Sequence, residues 1–190
     1  MYKRQGNISI VNANGNIKVS QVATAGTVGT NIDKTLTLNA GTGNFDIDAA
    51  VTATGNLTLT GGIFDNDADV QSYVGNVDIN ASGAIDVAAG SQVIAGGFGT
   101  ALTIDGAGIT LGLGTAAADT VTNTSTGTIA ITSTGTSNNI TVDHYAVSAG
   151  TGTVSVTSAG AITVTQATGT EEITADGAVT LSANGIGTTA

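Results

Sequence analysis

The chain has 190 residues, a formal net charge of −10 and only four basic residues, Lys3, Arg4, Lys18 and Lys34. Phosphate backbones and anionic headgroups demand clustered Lys and Arg, so nucleic acid and membrane surfaces are excluded as expected partners. Cysteine is absent and aromatic residues make up 3%, so there is no disulfide or thiolate metal site and any core must be built from Ile, Val, Leu and Ala.

Met1–Gln5 (MYKRQ) breaks the composition, with two of the four basic residues in five positions. It reads like a translated library adaptor, and we treat 1–5 as a non-native leader. From Gly6 onward one phrase returns: a glycine, then two apolar β-formers separated by one polar residue. It reads GNISI at Gly6–Ile10, GNIKV at Gly15–Val19, GNFDI at Gly43–Ile47, GNLTL at Gly55–Leu59 and GNVDI at Gly75–Ile79. It continues as GAIDV at Gly83–Val87, GTIAI at Gly127–Ile131, GTVSV at Gly152–Val156, GAITV at Gly160–Val164 and GAVTL at Gly177–Leu181. A unit repeated this often along a chain signals a repeat architecture.

Side chains alternate across a strand. In Gly55–Gly62, Leu57 and Leu59 therefore face one way and Thr58 and Thr60 the other, while the glycines are expected to supply turn backbone with positive φ. No stretch has helical spacing. Steps of 8–12 and near 20 residues between units predict two strands per turn and turns of about 19–28 residues, which suits a parallel β-helix. The expected fold is all-β, a right-handed parallel β-helix of about eight coils over residues 6–190, about 35–40 Å long at the usual strand spacing. Ile8, Ile10, Ile17, Val19, Leu36, Leu38, Leu57, Leu59, Ile129, Ile131, Val154 and Val156 should stack as inward ladders. Asn7, Asn16, Asn44, Asn56 and Asn76, each following glycine, should form ladders of their own within the turns. The competing fold is an antiparallel β-sandwich with turns every 8–12 residues.

The units resemble the β-helical repeats of filamentous-haemagglutinin-like bacterial adhesins, autotransporter passengers and related β-strand repeat proteins. The resemblance implies a secreted or cell-surface rod that carries or forms an adhesive surface. The family's secretion signal, transport domain and outer-membrane barrel are not in these residues, and neither end shows a polar cap. We therefore expect one solenoid domain that is a segment of a longer array, with further coils of the same parent chain as its neighbours.

Several groups bear on chemistry. Asp65, Asp67 and Asp69 alternate in DNDAD and offer oxygen ligands for Ca²⁺, but the EF-hand spacing fails at Val70 and Asn76. No other cofactor is expected. Asp143-His144-Tyr145 holds the lone histidine, without a Gly-x-Ser-x-Gly elbow or a second ligand. The pairs Asp46 with Asp48, and Asp78 with Asp86, are the candidate carboxylates for glycoside hydrolysis, yet no Lys or Arg follows Lys34 to serve a polysaccharide lyase, and the chain reads as non-enzymatic. Thr120, Thr122, Thr124 and Thr126 alternate, as outward ranks would on an ice-binding face, but high β-propensity and cross-strand pairing are the plainer explanation. Ile63–Tyr73 and Ser91–Gly99 read as insertions carrying Phe64, Tyr73 and Phe98, candidate contacts for glycans or proteins.

Overall fold

The computed structural model describes residues 8–13, 15–19, 34–88, 90–113, 121–124, 126–135, 138–143, 147–165 and 173–189. Among them are 22 strands, numbered β1 to β22 in chain order, and no helix. Three sheets share these strands. The first holds β1 (Ile8–Val11), β3 (Leu36–Asn39), β6 (Leu57–Gly61), β9 (Val77–Ala81), β12 (Ala101–Gly106), β15 (Thr128–Ser133), β18 (Thr153–Ser158) and β21 (Val179–Ser182). The second holds β2 (Ile17–Val19), β4 (Phe45–Ile47), β7 (Phe64–Asn66), β10 (Ile85–Ala88), β13 (Ile109–Leu113), β16 (Ile140–Asp143), β19 (Ala161–Thr165) and β22 (Gly185–Thr189). The third holds β5 (Val51–Ala53), β8 (Val70–Ser72), β11 (Val93–Ala95), β14 (Val121–Asn123), β17 (Val147–Ser148) and β20 (Ile173–Thr174).

All neighbouring strands run parallel, which excludes the sandwich. Each strand pairs with its counterpart one coil later. Along the first sheet the partners lie 20 residues apart at the shortest, Leu57 to Val77, and 28 at the longest, Ile8 to Leu36. A complete coil contains three strands rather than the expected two. The described residues form six complete coils, with a two-strand coil at either end, so the count of about eight is corrected to about six full turns.

The interior is the set of inward columns. Leu36, Leu57, Val77, Leu102, Ile129 and Val154 stack on the first sheet, and Phe45, Phe64, Ile85, Ile109, Ile140 and Ile162 on the second, all buried. Val51, Val70, Val93 and Val121 line the third. Phe45 and Phe64 meet at a ring separation of 6.0 Å and an interplanar angle of 55°, a tilted contact of the kind aromatic quadrupoles favour. Small residues on the first sheet make room for bulk on the second. A Cβ on Gly61 would stand 2.8 Å from Phe45 Cδ2, and one on Gly106 2.8 Å from Ile85 Cδ1.

The glycine of the repeated phrase has a different role from the one expected. Among the described residues the left-handed glycines are Gly41, Gly90, Gly99, Gly108, Gly112, Gly135 and Gly150, none of which opens a phrase. The phrase glycines lie where coil backbones touch: a Cβ on Gly152 would strike the Gly127 carbonyl, and one on Gly177 the Gly152 carbonyl. Close approach, not φ, selects glycine there.

The asparagine after the glycine links one coil to the next. The Asn16 Oδ1 accepts the Asn44 amide N–H at 2.9 Å, and the Asn44 Oδ1 accepts that of Ile63 at 3.0 Å. On the first sheet, Asn56 Oδ1 accepts from Asn76 N–H at 3.0 Å and Asn76 Oδ1 from Ala101 N–H at 2.9 Å. These ladders join side chain to backbone and run along the exposed rim of the coils.

Candidate functional site

With the interior filled by stacking side chains, any chemistry must sit on the outward faces and corners. The most charged feature is one outward column of the second sheet. Alternation places Lys18, Asp46, Asp65 and Asp86 in register on β2, β4, β7 and β10, and Thr110, Thr141 and Thr163 continue it. Register partners in such a column are about 4.8 Å apart between strands, close enough for like charges to repel. Lys18 Nζ donates to Asp46 Oδ2 at 2.8 Å and also pairs with Asp48. Those two hydrogen bonds push the Lys18 ammonium above its ordinary range, and the bond from Lys18 holds the Asp48 carboxyl below its own. Farther from the lysine the direction reverses. Partial burial, then the negative charge of Asp67, Asp86 and Asp46, raises Asp65, while partial burial and then Asp67 raise Asp86. The Asp86 Oδ1 is buried and has no hydrogen-bond partner among the described residues.

The three carboxylates proposed for Ca²⁺ are spread around a corner. Asp65 projects from β7, Asp67 follows that strand, and Asp69 precedes β8, where its Oδ1 accepts the Gln92 N–H from the next coil at 3.1 Å. Asn66, between Asp65 and Asp67, points inward and is fully buried. Among the described residues no three His, Cys, Asp or Glu side chains are grouped as a metal would require. Asp46 and Asp48 do share one face, bridged by Lys18. Asp78 and Asp86 do not: Asp78 lies on the first sheet, accepting from Thr103 Oγ1 at 2.6 Å, and Asp86 on the second. His144 and Tyr145 lie outside the described residues.

The aromatic candidates separate. Phe64 is 1% exposed and belongs to the core, which corrects its assignment as a surface contact; it fills the column position that Phe45 fills one coil earlier. The segment Ile63–Tyr73 is not an insertion either, because it contains β7 and β8 within the shortest coil of the first sheet. Tyr73 is half-buried just after β8. Ser91–Gly99 contains β11 and the turn that follows it. On that turn, Phe98 is 90% exposed, flanked by Gly97 and by Gly99 with φ +67°. The turn stacks directly on the one below: Gly96 N–H donates to the Ser72 carbonyl at 2.9 Å, and a Cβ on Gly97 would stand 2.6 Å from the Val74 carbonyl oxygen. Val74 is itself an exposed apolar residue that the sequence reading passed over. The corner between third and first sheets thus presents two apolar side chains, one coil apart.

Of the alternating threonines, Thr120 lies outside the described residues. Only Thr122 sits on a sheet face, on β14, and Thr124 and Thr126 are exposed in the following corner. Outward hydroxyl columns arise across coils instead, as in Thr110, Thr141 and Thr163, or Thr132, Thr157 and Ser182 on the first sheet. Among the described residues no helix is long and apolar enough to cross a membrane.

No family model, curated protein or solved structure matches this chain.

Proposed function

We propose that this chain is a non-enzymatic rod segment of a secreted or surface-exposed protein of the filamentous-haemagglutinin-like kind, with glycans or proteins as its partners. The observation that carries this reading is the continuity of the stack. Coil follows coil with an apolar interior and a main-chain ladder, so the solenoid is a spacer whose outer residues are free to vary. Contact is then made at corners, and the corner holding Phe98 above the Val74 turn is the best candidate because it exposes an aromatic ring on a stiff scaffold.

The reading is tested by screening the purified chain against arrays of glycans and extracellular proteins, beside a Phe98→Ala variant. The expected result is retention on at least one ligand, weakened at least tenfold by Phe98→Ala while the thermal melt stays the same. Retention that ignores the substitution would move the contact elsewhere, and turnover of an arrayed polysaccharide would replace a rod with an enzyme. An ice-recrystallisation assay on the same sample separates the threonine-based alternative.

A further inference from the structure

Five asparagines begin an Asn-x-Ser/Thr sequence: Asn7, Asn56, Asn80, Asn123 and Asn139. Such a sequence accepts an N-linked sugar only where the amide and the hydroxyl two residues on can be reached. The fold sorts them sharply. Asn7 lies outside the described residues. Asn123 is fully buried, its Nδ2 donating to the Thr100 carbonyl at 3.0 Å. Asn56 and Asn139 reach the surface, but each Oδ1 is a rung between coils, accepting from Asn76 N–H at 3.0 Å and Ala161 N–H at 2.9 Å. Their hydroxyl partners, Thr58 and Thr141, are half-buried on sheet faces.

Asn80 differs on each count. It is the exposed residue of β9, outward on the first sheet between Thr60 and Asp105 of the neighbouring coils. Its amide is a rung in neither asparagine ladder. Ser82, the third residue, is exposed where the chain leaves the strand; its backbone N–H is bound to the Gly61 carbonyl at 2.9 Å, and its hydroxyl donates to the same carbonyl only at a long 3.4 Å. The backbone is therefore fixed while the Asn80 side chain faces solvent and the Ser82 hydroxyl is held by one long bond.

We propose that Asn80 is an acceptor site for an N-linked sugar, taken from a nucleotide-activated hexose. In the transfer, Asn80 Nδ2 bonds to the anomeric carbon, the bond from that carbon to the diphosphate oxygen breaks, the amide nitrogen loses one proton and the nucleoside diphosphate departs. At Asn56 or Asn139 a transferase gripping the amide must first break the rung. The modification stands independently of adhesion. A sugar at Asn80 would rise from the first sheet between Thr60 and Asp105 of the neighbouring coils.

The test uses the folded chain, a nucleotide-activated hexose and an asparagine glycosyltransferase first shown to modify synthetic peptides spanning each of the Asn56, Asn80 and Asn139 sequences. Mass spectrometry should find a hexose at Asn80 of the folded chain, with at least tenfold less at Asn56 and Asn139, and Asn80→Gln should remove the label from that peptide. An Asn80 left bare on the folded chain, or Asn56 or Asn139 labelled as fully as Asn80, would overturn the assignment.

Discussion

One outward column of the second sheet changes chemistry part-way along the rod. Its first four positions are Lys18, Asp46, Asp65 and Asp86; the next three are Thr110, Thr141 and Thr163. Behind both halves runs one apolar column, with Phe45, Phe64 and Ile85 behind the carboxylates and Ile109, Ile140 and Ile162 behind the threonines. Coils stack in both halves by the same parallel ladder. The interior and the main chain therefore hold the solenoid, and the outer side chains are free to carry opposite chemistries on one scaffold. If that is right, substitutions inside should hurt both halves, and substitutions outside should distinguish them.

The largest effect belongs to the interior. Ile129 is buried between Leu102 and Val154 of the adjoining coils. Ile129→Asp would bury an uncompensated carboxylate at a cost of several kcal/mol, and the β signal and cooperative melt of the central coils should be lost; an unchanged melt would reverse the inward assignment. Next come two truncations in the inward column of the second sheet. Phe64→Ala should cost about 3–5 kcal/mol and Ile162→Val about 0.5–1.5 kcal/mol, both from lost burial and the cavity left behind. Chemical denaturation checks the pair, and a cheaper Phe64→Ala than Ile162→Val would show that the aromatic contact in the acidic half is not structural. The rung matches the smaller of these. Asn44→Ala and Asn139→Ala each remove a carbonyl that accepts a backbone N–H from the following coil, a loss of about 0.5–1.5 kcal/mol. Equal losses in the two halves are expected, because the rungs ignore the outer chemistry.

How much of this was legible in the residues follows from the same division. The apolar-x-apolar units of the first two sheets announced themselves, and Leu57, Leu59, Ile129 and Ile131 point inward as alternation requires. The third sheet was missed because its strands lack the glycine leader and place a small or polar residue, Ala53, Ser72, Ala95 or Asn123, at the second inward position, where a large apolar residue would have completed the pattern. The turn length was legible, 20–28 residues along the first sheet, and the count of about eight exceeded six full turns because the first and last coils show two strands each among the described residues. Phe64 and Asn66 were misread for one reason: DNDAD looks like a polar loop, yet alternation carries Phe64 and Asn66 inside between outward Asp65 and Asp67. The outer surface was legible as composition but not as geometry. Thr120, Thr122, Thr124 and Thr126 are neighbours in sequence, whereas a rank on a solenoid is built from residues a full coil apart. Phe98 was found by its type, and Val74 was missed because only coil stacking brings its turn under that of Phe98.

The smallest and most discriminating effect is that of pH. Asp65 and Asp86 carry carboxyl groups raised above the ordinary value, chiefly by partial burial and then by neighbouring carboxylates. A group raised in the folded state binds its proton more tightly there than in the unfolded chain. Its contribution is full below the unfolded value near 4 and is lost as pH climbs through the raised one. Asp48, lowered by Lys18, works the other way: its contribution is present above about 4 and fades as pH falls through the lowered value. Acidifying from neutral to just above pH 4 should therefore stabilise the coils carrying Asp65 and Asp86, and stronger acid should begin to remove the Lys18 pair. Solvent screening keeps both effects small. Hydrogen exchange, corrected for its intrinsic pH dependence, should show protection rising in β7 and β10 over that window while β16 and β19, under the threonines, stay level. Asp65→Asn combined with Asp86→Asn should flatten the response. A response of equal size in both halves would mean that the carboxylate column is not its source, and that the two halves of the rod differ in appearance only.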